Sequence, residues 1–338
     1  MINIDEKIKN EIKNYFDFGD PEFLILKTTN IFNINNLNSS LKIFINLELV
    51  NNIRRINKFH EFVNSKLDFG SYYVTCSETL EERRKRVWLK APLGFRHLVR
   101  IIDFIYKRVF PKLPLVKKIY FALTGGNNRV LSKAEVMGRL ISCGFQIENY
   151  FEHENLFYII SKKKHDPDFN LSPSYSPIFK MQRIGYKGKE IGVYKLRTMY
   201  PYSEYLQDFI TKENKLESSG KILNDYRVTT WGKFCRKFWI DEFPMLINVF
   251  KCQLNIVGVR PLSKSYFDSY PMDLQKLRIN IKPGLIPPYY SDMPRNFSEI
   301  LKSEKRYIES KLKNPIYTDV KYFYKAFVNI VFKGARSK

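Results

Sequence analysis

An acidic pair stands between two groups of cations in the stretch from Arg227 to Leu262, RVTTWGKFCRKFWIDEFPMLINVFKCQLNIVGVRPL. Asp241 and Glu242 follow Arg236 and Lys237 and precede Arg260, which sits in a Val-Gly-Val-Arg-Pro turn. Arginines on both sides of a carboxylate pair can converge on one anion, and their planar forks match phosphate oxygens. A carboxylate among cations stays ionised, so it can serve as a nucleophile or hold a metal. Neighbouring residues on a helix point about 100° apart, which gives the two acids different tasks. The competing reading is structural: Asp241 as a helix N-cap, with Glu242 favoured in the first turn by the helix dipole.

The flanking residues predict the elements that hold this pair. Pro244 is placed as in a first helical turn, and Met245, Leu246, Val249 and Phe250 recur at helical spacing. The carboxylates are therefore expected at the start of a buried helix. Leu254 to Val257 reads as a short buried strand, ended by a turn from Gly258 to Pro261. Upstream, Ile178–Ile184 and Lys189–Leu196 read as strands around a Tyr186-Lys187-Gly188 turn. Lys195 and Arg197 alternate there and share a face, as phosphate ligands or as a solvated basic edge.

In these residues the chain resembles the bacterial sugar transferases, the single-domain, membrane-associated polyprenol-phosphate phosphoglycosyl transferases. The resemblance rests on the Arg227–Leu262 stretch, on QRIGYKGKEIGVYKLRTM (Gln182 to Met199) and on IKPGL (Ile281 to Leu285). It implies transfer of a sugar-1-phosphate from a nucleoside diphosphate sugar, a UDP-sugar above all, to a polyprenyl phosphate. That reaction initiates exopolysaccharide, O-antigen or other surface glycan synthesis. It further implies that Asp241 forms a covalent phosphosugar, that Glu242 binds Mg²⁺, and that Arg236 and Arg260 clamp phosphates. Lys195 and Arg197 are further phosphate candidates, and Asp225 opens the family's Asp-x-Arg-x-Thr segment, where it would orient Arg227 or the nucleotide.

The chain also departs from the family. Val259 replaces a usual proline, Cys252 replaces a usual glycine, and LIPPYYSDMP after Pro283 lacks the usual Thr-Gly. In place of the family's apolar re-entrant helix stands a polar segment ahead of SPIFKMQRIG.

The 338 residues suffice for two domains. A net charge of +23 seeks anions: nucleotide phosphates, an anionic membrane surface or nucleic acid. No helix-turn-helix, zinc-finger or RNA-binding signature accompanies it, so nucleic acid is not an expected partner. Cys76, Cys143, Cys235 and Cys252 form no C-x-x-C pair and read as reduced core thiols of a cytosolic protein. No apolar run reaches spanning length.

The expected fold class is α/β: a degenerate Rossmann-like domain over 1–163, a linker over 164–176, and an α+β phosphoglycosyl transferase domain over 177–338. Strands over Glu22–Lys27, Leu41–Leu47 and Ser71–Cys76 alternate with a helix over Asn51–Leu67 that ends before Gly70. LSKAEVMGRLISCGF then reads as a helix, and QIENYFEHENLFYIISKKK as two strands. Their shape resembles the second half of a class I methyltransferase fold, without a glycine-rich cofactor loop. Pro201 to Asp225 reads as a helical insertion in the transferase half.

Two basic, apolar stretches bear on location. Residues 95–124 are split by Pro111 and Pro114, and Val320, Phe323, Tyr324, Phe327 and Val331 share a face of a helix over 319–338. Either stretch serves its own core or lies on a membrane. A lipid substrate and a chain without a spanning segment predict peripheral attachment to the cytoplasmic face of the inner membrane, or a membrane partner protein. The alternative function is a non-catalytic nucleotide-sugar-binding scaffold in a glycan assembly complex.

Overall fold

The computed structural model describes residues 4–16, 22–35, 41–113, 115–167, 176–213 and 225–334. The chain divides into two compact units: Met1–Tyr175 with Met199–Arg227, and Ser176–Thr198 with Val228–Lys338.

The first unit is mixed α/β with a parallel-rich sheet. Its chain order is α1 (Glu6–Lys13), β1 (Phe23–Leu26), α2 (Phe32–Asn35), β2 (Ile43–Leu49), α3 (Ile56–Lys66), β3 (Tyr72–Ser77), α4 (Leu80–Lys90), α5 (Arg96–Phe104), α6 (Val116–Thr124), α7 (Lys133–Ser142), β4 (Phe145–His153) and β5 (Leu156–Lys163). The sheet order is β1-β2-β3-β5-β4. β1, β2 and β3 are parallel, and β5 runs antiparallel between β3 and β4. Strand alternation sets the two faces. Ile43, Ile45, Val74 and Ile160 pack with Ile8 and Ile12 of α1. Phe44, Tyr73, Phe157 and Ile159 pack with Phe59 and Val63 of α3 and with Met137 and Leu140 of α7.

Between α5 and α6 the chain widens into a π turn over Ile105–Val109 and then tightens into a 3-10 turn over Phe110–Lys112 that contains Pro111. Pro114 and most of the 164–176 linker, residues 168–175, lie outside the described residues. α5 buries none of its side chains, and Leu98, Ile101 and Ile102 are exposed.

The second unit opens with an antiparallel hairpin, β6 (Ile178–Ile184) and β7 (Glu190–Leu196). The excursion that follows, with its helix α8 (Gln207–Glu213), clusters with the first unit and not with the transferase half in which it was expected. The cause is packing. Leu206 and Ile210 are buried in the first unit's main core, and Tyr202 packs on Gly138, where an added Cβ would lie 2.3 Å from the Tyr202 carbonyl oxygen.

The second unit resumes with α9 (Thr230–Lys237), a 3-10 turn over Ile240–Met245, α10 (Leu246–Phe250), β8 (Asn255–Val257), α11 (Lys264–Asp268), α12 (Met272–Arg278), β9 (Gly284–Ile286), α13 (Tyr289–Asp292), α14 (Phe297–Lys313) and α15 (Pro315–Phe332). β8 and β9 pair in parallel, which brings the Val-Gly-Val-Arg-Pro and Lys-Pro-Gly segments together. A Cβ on Gly284 would lie 2.2 Å from the Gly258 nitrogen, so this crossing admits only glycine.

Two expectations change, for α10 and Cys252, and the orientation left open for α15 is resolved. α10 is not a buried helix: it buries Asn248, while Leu246, Ile247 and Phe250 are exposed, as are Phe243 and, on α9, Trp231 and Phe234. α15 buries Thr318, Ala326 and Asn329 and turns its apolar face outward. Cys252 is exposed, not a core thiol, and holds a φ of 55°, a left-handed conformation that favours glycine. Among the described residues, no helix is long and apolar enough to cross a membrane.

Candidate active site

α9 starts at Thr229, whose hydroxyl accepts from the Gly232 amide at 2.7 Å and donates to the Thr198 carbonyl at 3.1 Å. At its far end Trp239 takes a φ of 56° and swings the chain into the 3-10 turn that carries Asp241 and Glu242. The Trp239 indole donates to the Tyr290 hydroxyl at 2.9 Å, which anchors this bend. Trp239 occupies the cap position and no side chain caps the turn, so Asp241 does not perform the capping role.

Buried Asn248 fastens the acidic turn to the hairpin. It accepts from the Tyr194 amide at 3.0 Å and donates to the Gly192 carbonyl at 2.8 Å, substituting for a strand edge. The next residue on β7, Lys195, thereby reaches Glu242, with Nζ 2.7 Å from Oε1. Both side chains are largely buried.

The Gly258 crossing delivers Arg260 to the same place. Its guanidinium donates to the Tyr289 hydroxyl at 3.3 Å. Its carbonyl accepts from Arg278 at 2.6 Å, and Arg278 is paired with Glu304 in the interior. Arg183, Lys195, Glu242, Arg260, Gly284 and Tyr289 together line a small cavity of about 40 Å³.

Charges lining this cavity and Asp241, which lies outside its lining, press on one another. Burial raises the Asp241 carboxyl above its usual range and Glu242 adds to this, while Lys195 and Arg236 pull the other way. Burial works against the charge of Arg260, but Tyr289 and Glu242 outweigh it and its pKa stands above normal. Burial, helped by Arg260, lowers the pKa of Arg183. The site is built to receive negative charge.

Asp241, Glu242, Lys195 and Arg260 come together as a group. Arg236 acts on Asp241 through space, while its Nε donates to the Thr198 hydroxyl at 2.9 Å. Arg197 goes elsewhere, to the Ser176 carbonyl at 3.1 Å and over the Phe179 ring. Asp225 belongs to the first unit, where it accepts from Arg227 Nε at 2.9 Å and Nη2 at 2.8 Å.

Sequence reasoning passed over Arg183 and Tyr289. Arg183 had a signal, since it stands on a strand of the hairpin that also carries Lys195. Tyr289 had none, because it lies in the stretch that departs from the family pattern.

A model of the bacterial sugar transferase family matches residues 169–333. The galactosyl transferase CpsE of Streptococcus agalactiae is 32% identical over 148 residues, covering 43% of this chain and 32% of that protein. The uncharacterized sugar transferase EpsL of Bacillus subtilis is 38% identical over 112 residues, covering 32% of this chain and 48% of its own length. The undecaprenyl-phosphate galactose phosphotransferase of Salmonella typhimurium is 34% identical over 113 residues, covering 32% and 24%. The chain thus spans less than half the length of these curated relatives. The matched segment, just under half of the chain, takes in the hairpin, the acidic turn and the Gly258–Gly284 crossing, and over residues 169–333 the chain is similar to the bacterial sugar transferase family.

Proposed function

We propose that the second unit transfers a sugar-1-phosphate from a UDP-sugar to a polyprenyl phosphate, with Asp241 as the nucleophile. The observation that carries this reading is Asp241 and Glu242 on one uncapped turn, with Lys195 on Glu242 and Arg260 in the same cavity. The similarity to the undecaprenyl-phosphate galactose phosphotransferase of Salmonella typhimurium supports the substrate class.

In the first step an Asp241 carboxylate oxygen attacks the sugar-bearing phosphorus. The phosphoanhydride bond breaks and uridine monophosphate departs with the electron pair. In the second step a polyprenyl phosphate oxygen attacks the same phosphorus and displaces the Asp241 carboxylate. The product is a polyprenyl diphosphate sugar. Splitting one displacement into two is the purpose of covalent catalysis. Arg260, Arg183 and Lys195 neutralise the diphosphate and hold it in line.

The donor set fits Mg²⁺. Glu242 is a hard oxygen donor in a cavity whose other charged side chains are cations, and magnesium commonly takes one or two carboxylates plus substrate phosphates. Bound there, the ion would supply Lewis-acid stabilisation of phosphate charge.

For the first unit we propose a degenerate, non-methylating Rossmann-like domain. Three parallel strands followed by an antiparallel pair support the shape, and the residues after β1, KTTNIF, contain no glycine for a cofactor loop. The proposed location is the cytoplasmic face of the inner membrane, held peripherally, a reading supported by the outward apolar faces of α10 and α15.

The test incubates purified chain with radiolabelled UDP-glucose or UDP-galactose and undecaprenyl phosphate. Release of uridine monophosphate with labelled lipid supports transfer. Binding of the UDP-sugar without release overturns it in favour of a scaffold.

A further inference from the structure

The acidic turn and Arg260 reach the site on different elements, and a chain of contacts runs between them. The Glu242 amide donates to the Trp239 carbonyl at 3.0 Å, which closes the turn on Trp239. The Trp239 indole donates to the Tyr290 hydroxyl at 2.9 Å. The Tyr290 and Tyr289 ring centroids lie 4.7 Å apart. The Tyr289 hydroxyl accepts from the Arg260 guanidinium at 3.3 Å. Neighbouring side chains on a helix diverge by about 100°, so this adjacent pair faces two partners at once: the bend that carries Asp241 and Glu242, and Arg260.

The rest of the unit holds the pair in place. β9 ends at Ile286, and Pro287 and Pro288, whose rings fix φ, lead directly into α13. β9 is itself pinned to β8, the strand that leads to Arg260, by the Gly258–Gly284 crossing. Tyr290 is buried with Ala326 and Ile330 of α15, and its carbonyl accepts from the Asn329 side chain at 2.9 Å. Its ring meets the Trp239 indole edge-on, with centroids 5.8 Å apart. The tyrosines are thus anchored to parts of the fold that bring no charge to the site.

Electrostatics runs through the same pair. Burial raises the Tyr289 phenol well above its ordinary value; Arg260 pulls it down, while Glu242 and a hydrogen-bonded Tyr290 push it up. A neutral phenol accepts the Arg260 hydrogen bond and leaves the guanidinium its full charge. A carboxylate in that place would cancel the charge that a phosphate needs. Tyrosine therefore suits a group that must aim Arg260 without occupying it.

We propose that Tyr289 and Tyr290 are positioning residues that set the spacing between the acidic turn and Arg260, so that a diphosphate held by Arg260 is presented in line with Asp241. The proposal rests on the transfer reading given above and assigns a task to the stretch, LIPPYYSDMP, that departs from the family pattern. Neither tyrosine has to touch the reacting phosphorus. A displacement of about 1 Å between an attacking group and its target costs on the order of a hundredfold in rate, so a link of this kind acts on kcat before it acts on affinity.

The test uses full-length chain carrying Trp88→Phe and Trp231→Phe, which leaves Trp239 as its one tryptophan. UDP is titrated by calorimetry and by Trp239 emission. Saturable binding with a shift in emission is expected, and Tyr289→Phe should keep the binding and lose most of the shift. In turnover of UDP-glucose or UDP-galactose, Tyr289→Phe and Tyr290→Phe should each lower kcat at least about tenfold while KM changes less than about threefold. With Arg260→Lys already present, Tyr290→Phe should lower kcat less than about twofold further, because the link has lost its far end. UDP binding with a Tyr289-dependent shift but no turnover supports the coupling and overturns the transfer reading. A kcat and an emission shift indifferent to both phenylalanine substitutions, in chains of unchanged near-ultraviolet dichroism, overturn the coupling alone. Failure to bind UDP overturns both.

Discussion

The Lys195 ammonium lies 2.7 Å from the Glu242 carboxylate across 47 residues of sequence. The pair joins the hairpin to the acidic turn, and Asn248 holds the register that allows it. The two acids differ in their partners: Glu242 is ion-paired with Lys195, while Asp241 receives the influence of Lys195 and Arg236 without a side-chain partner at ion-pair distance among the described residues.

A double-mutant cycle should therefore detect coupling. Lys195→Ala and Glu242→Ala, alone and together, are expected to show a coupling of about 1 kcal/mol in urea unfolding, near the upper end for exposed pairs because this one is mostly buried. Each single variant should lose turnover by much more than its stability change. Additive stabilities would mean the pair is incidental.

Asp241→Asn should leave the fold intact and remove turnover by at least about a thousandfold. The turn is capped by no side chain, so the loss of about 1 kcal/mol expected for a broken cap should not appear. Burial holds the Asp241 carboxyl above its usual range, so removing the charge should raise the melting temperature slightly. A folded variant with near-normal turnover would sink the nucleophile assignment.

Much of the scaffold was legible because burial imposes period two on strands and a stripe on helices. Ile43, Phe44 and Ile45 alternate between the two cores as the pattern requires. The acidic pair was legible because its neighbours carry the chemistry in local order. What the pattern could not reveal was direction. The apolar stripe of α15 was plain, but its outward orientation depends on Asn329, whose side chain donates to the Tyr290 and Ser291 carbonyls at 2.9 Å. Nor could composition show that Leu206 and Ile210 fill the first unit's core, since long-range packing chooses among equally apolar surfaces.

Arg260 is held from behind as well as in front. Glu304→Ala should leave Arg278 buried and unpaired, at a cost of about 3 kcal/mol in chemical denaturation. The Arg260 carbonyl loses a firm donor at the same time. Arg260→Lys should show the converse: nearly unchanged stability, with turnover reduced far more than by Lys187→Ala on the exposed hairpin turn, because lysine lacks the bidentate fork. Normal turnover in Arg260→Lys would make Arg260 structural.

The first unit should weaken in mild acid. His60 is buried beside Tyr73, with Nδ1 3.2 Å from the hydroxyl, and burial followed by Arg139 lowers its pKa from 6.5 to about 3. The folded chain therefore refuses a proton that the unfolded chain takes up. Stability from this group is complete above pH 6.5 and drains away as the pH falls toward 3. Between pH 6.5 and 5 the loss should be roughly 2 kcal/mol. Replacing His60 with Gln should flatten that part of the profile, and a slope unchanged in the variant would assign it to other groups.

α15 is amphipathic in the reverse sense for a globular helix. Its buried side is Thr318, Ala326 and Asn329, whereas Ile316 is 82% exposed, Val320 63% and Phe327 52%. Surface helices of globular proteins turn their apolar stripe inward, so this one requires a covering. The lipid acceptor proposed for the second unit favours the membrane surface as that covering. The prediction is co-sedimentation with vesicles of phosphatidylethanolamine and phosphatidylglycerol. Charge attraction, about 1 kcal/mol for each Lys or Arg near the surface, should make binding weaken as salt rises. A residue of binding should survive high salt through apolar insertion. Val320→Asp with Phe327→Asp should abolish that residue while leaving the melting temperature nearly unchanged, since both side chains are already exposed. Binding indifferent to these two substitutions would free α15 from the membrane and leave its apolar face to a protein partner.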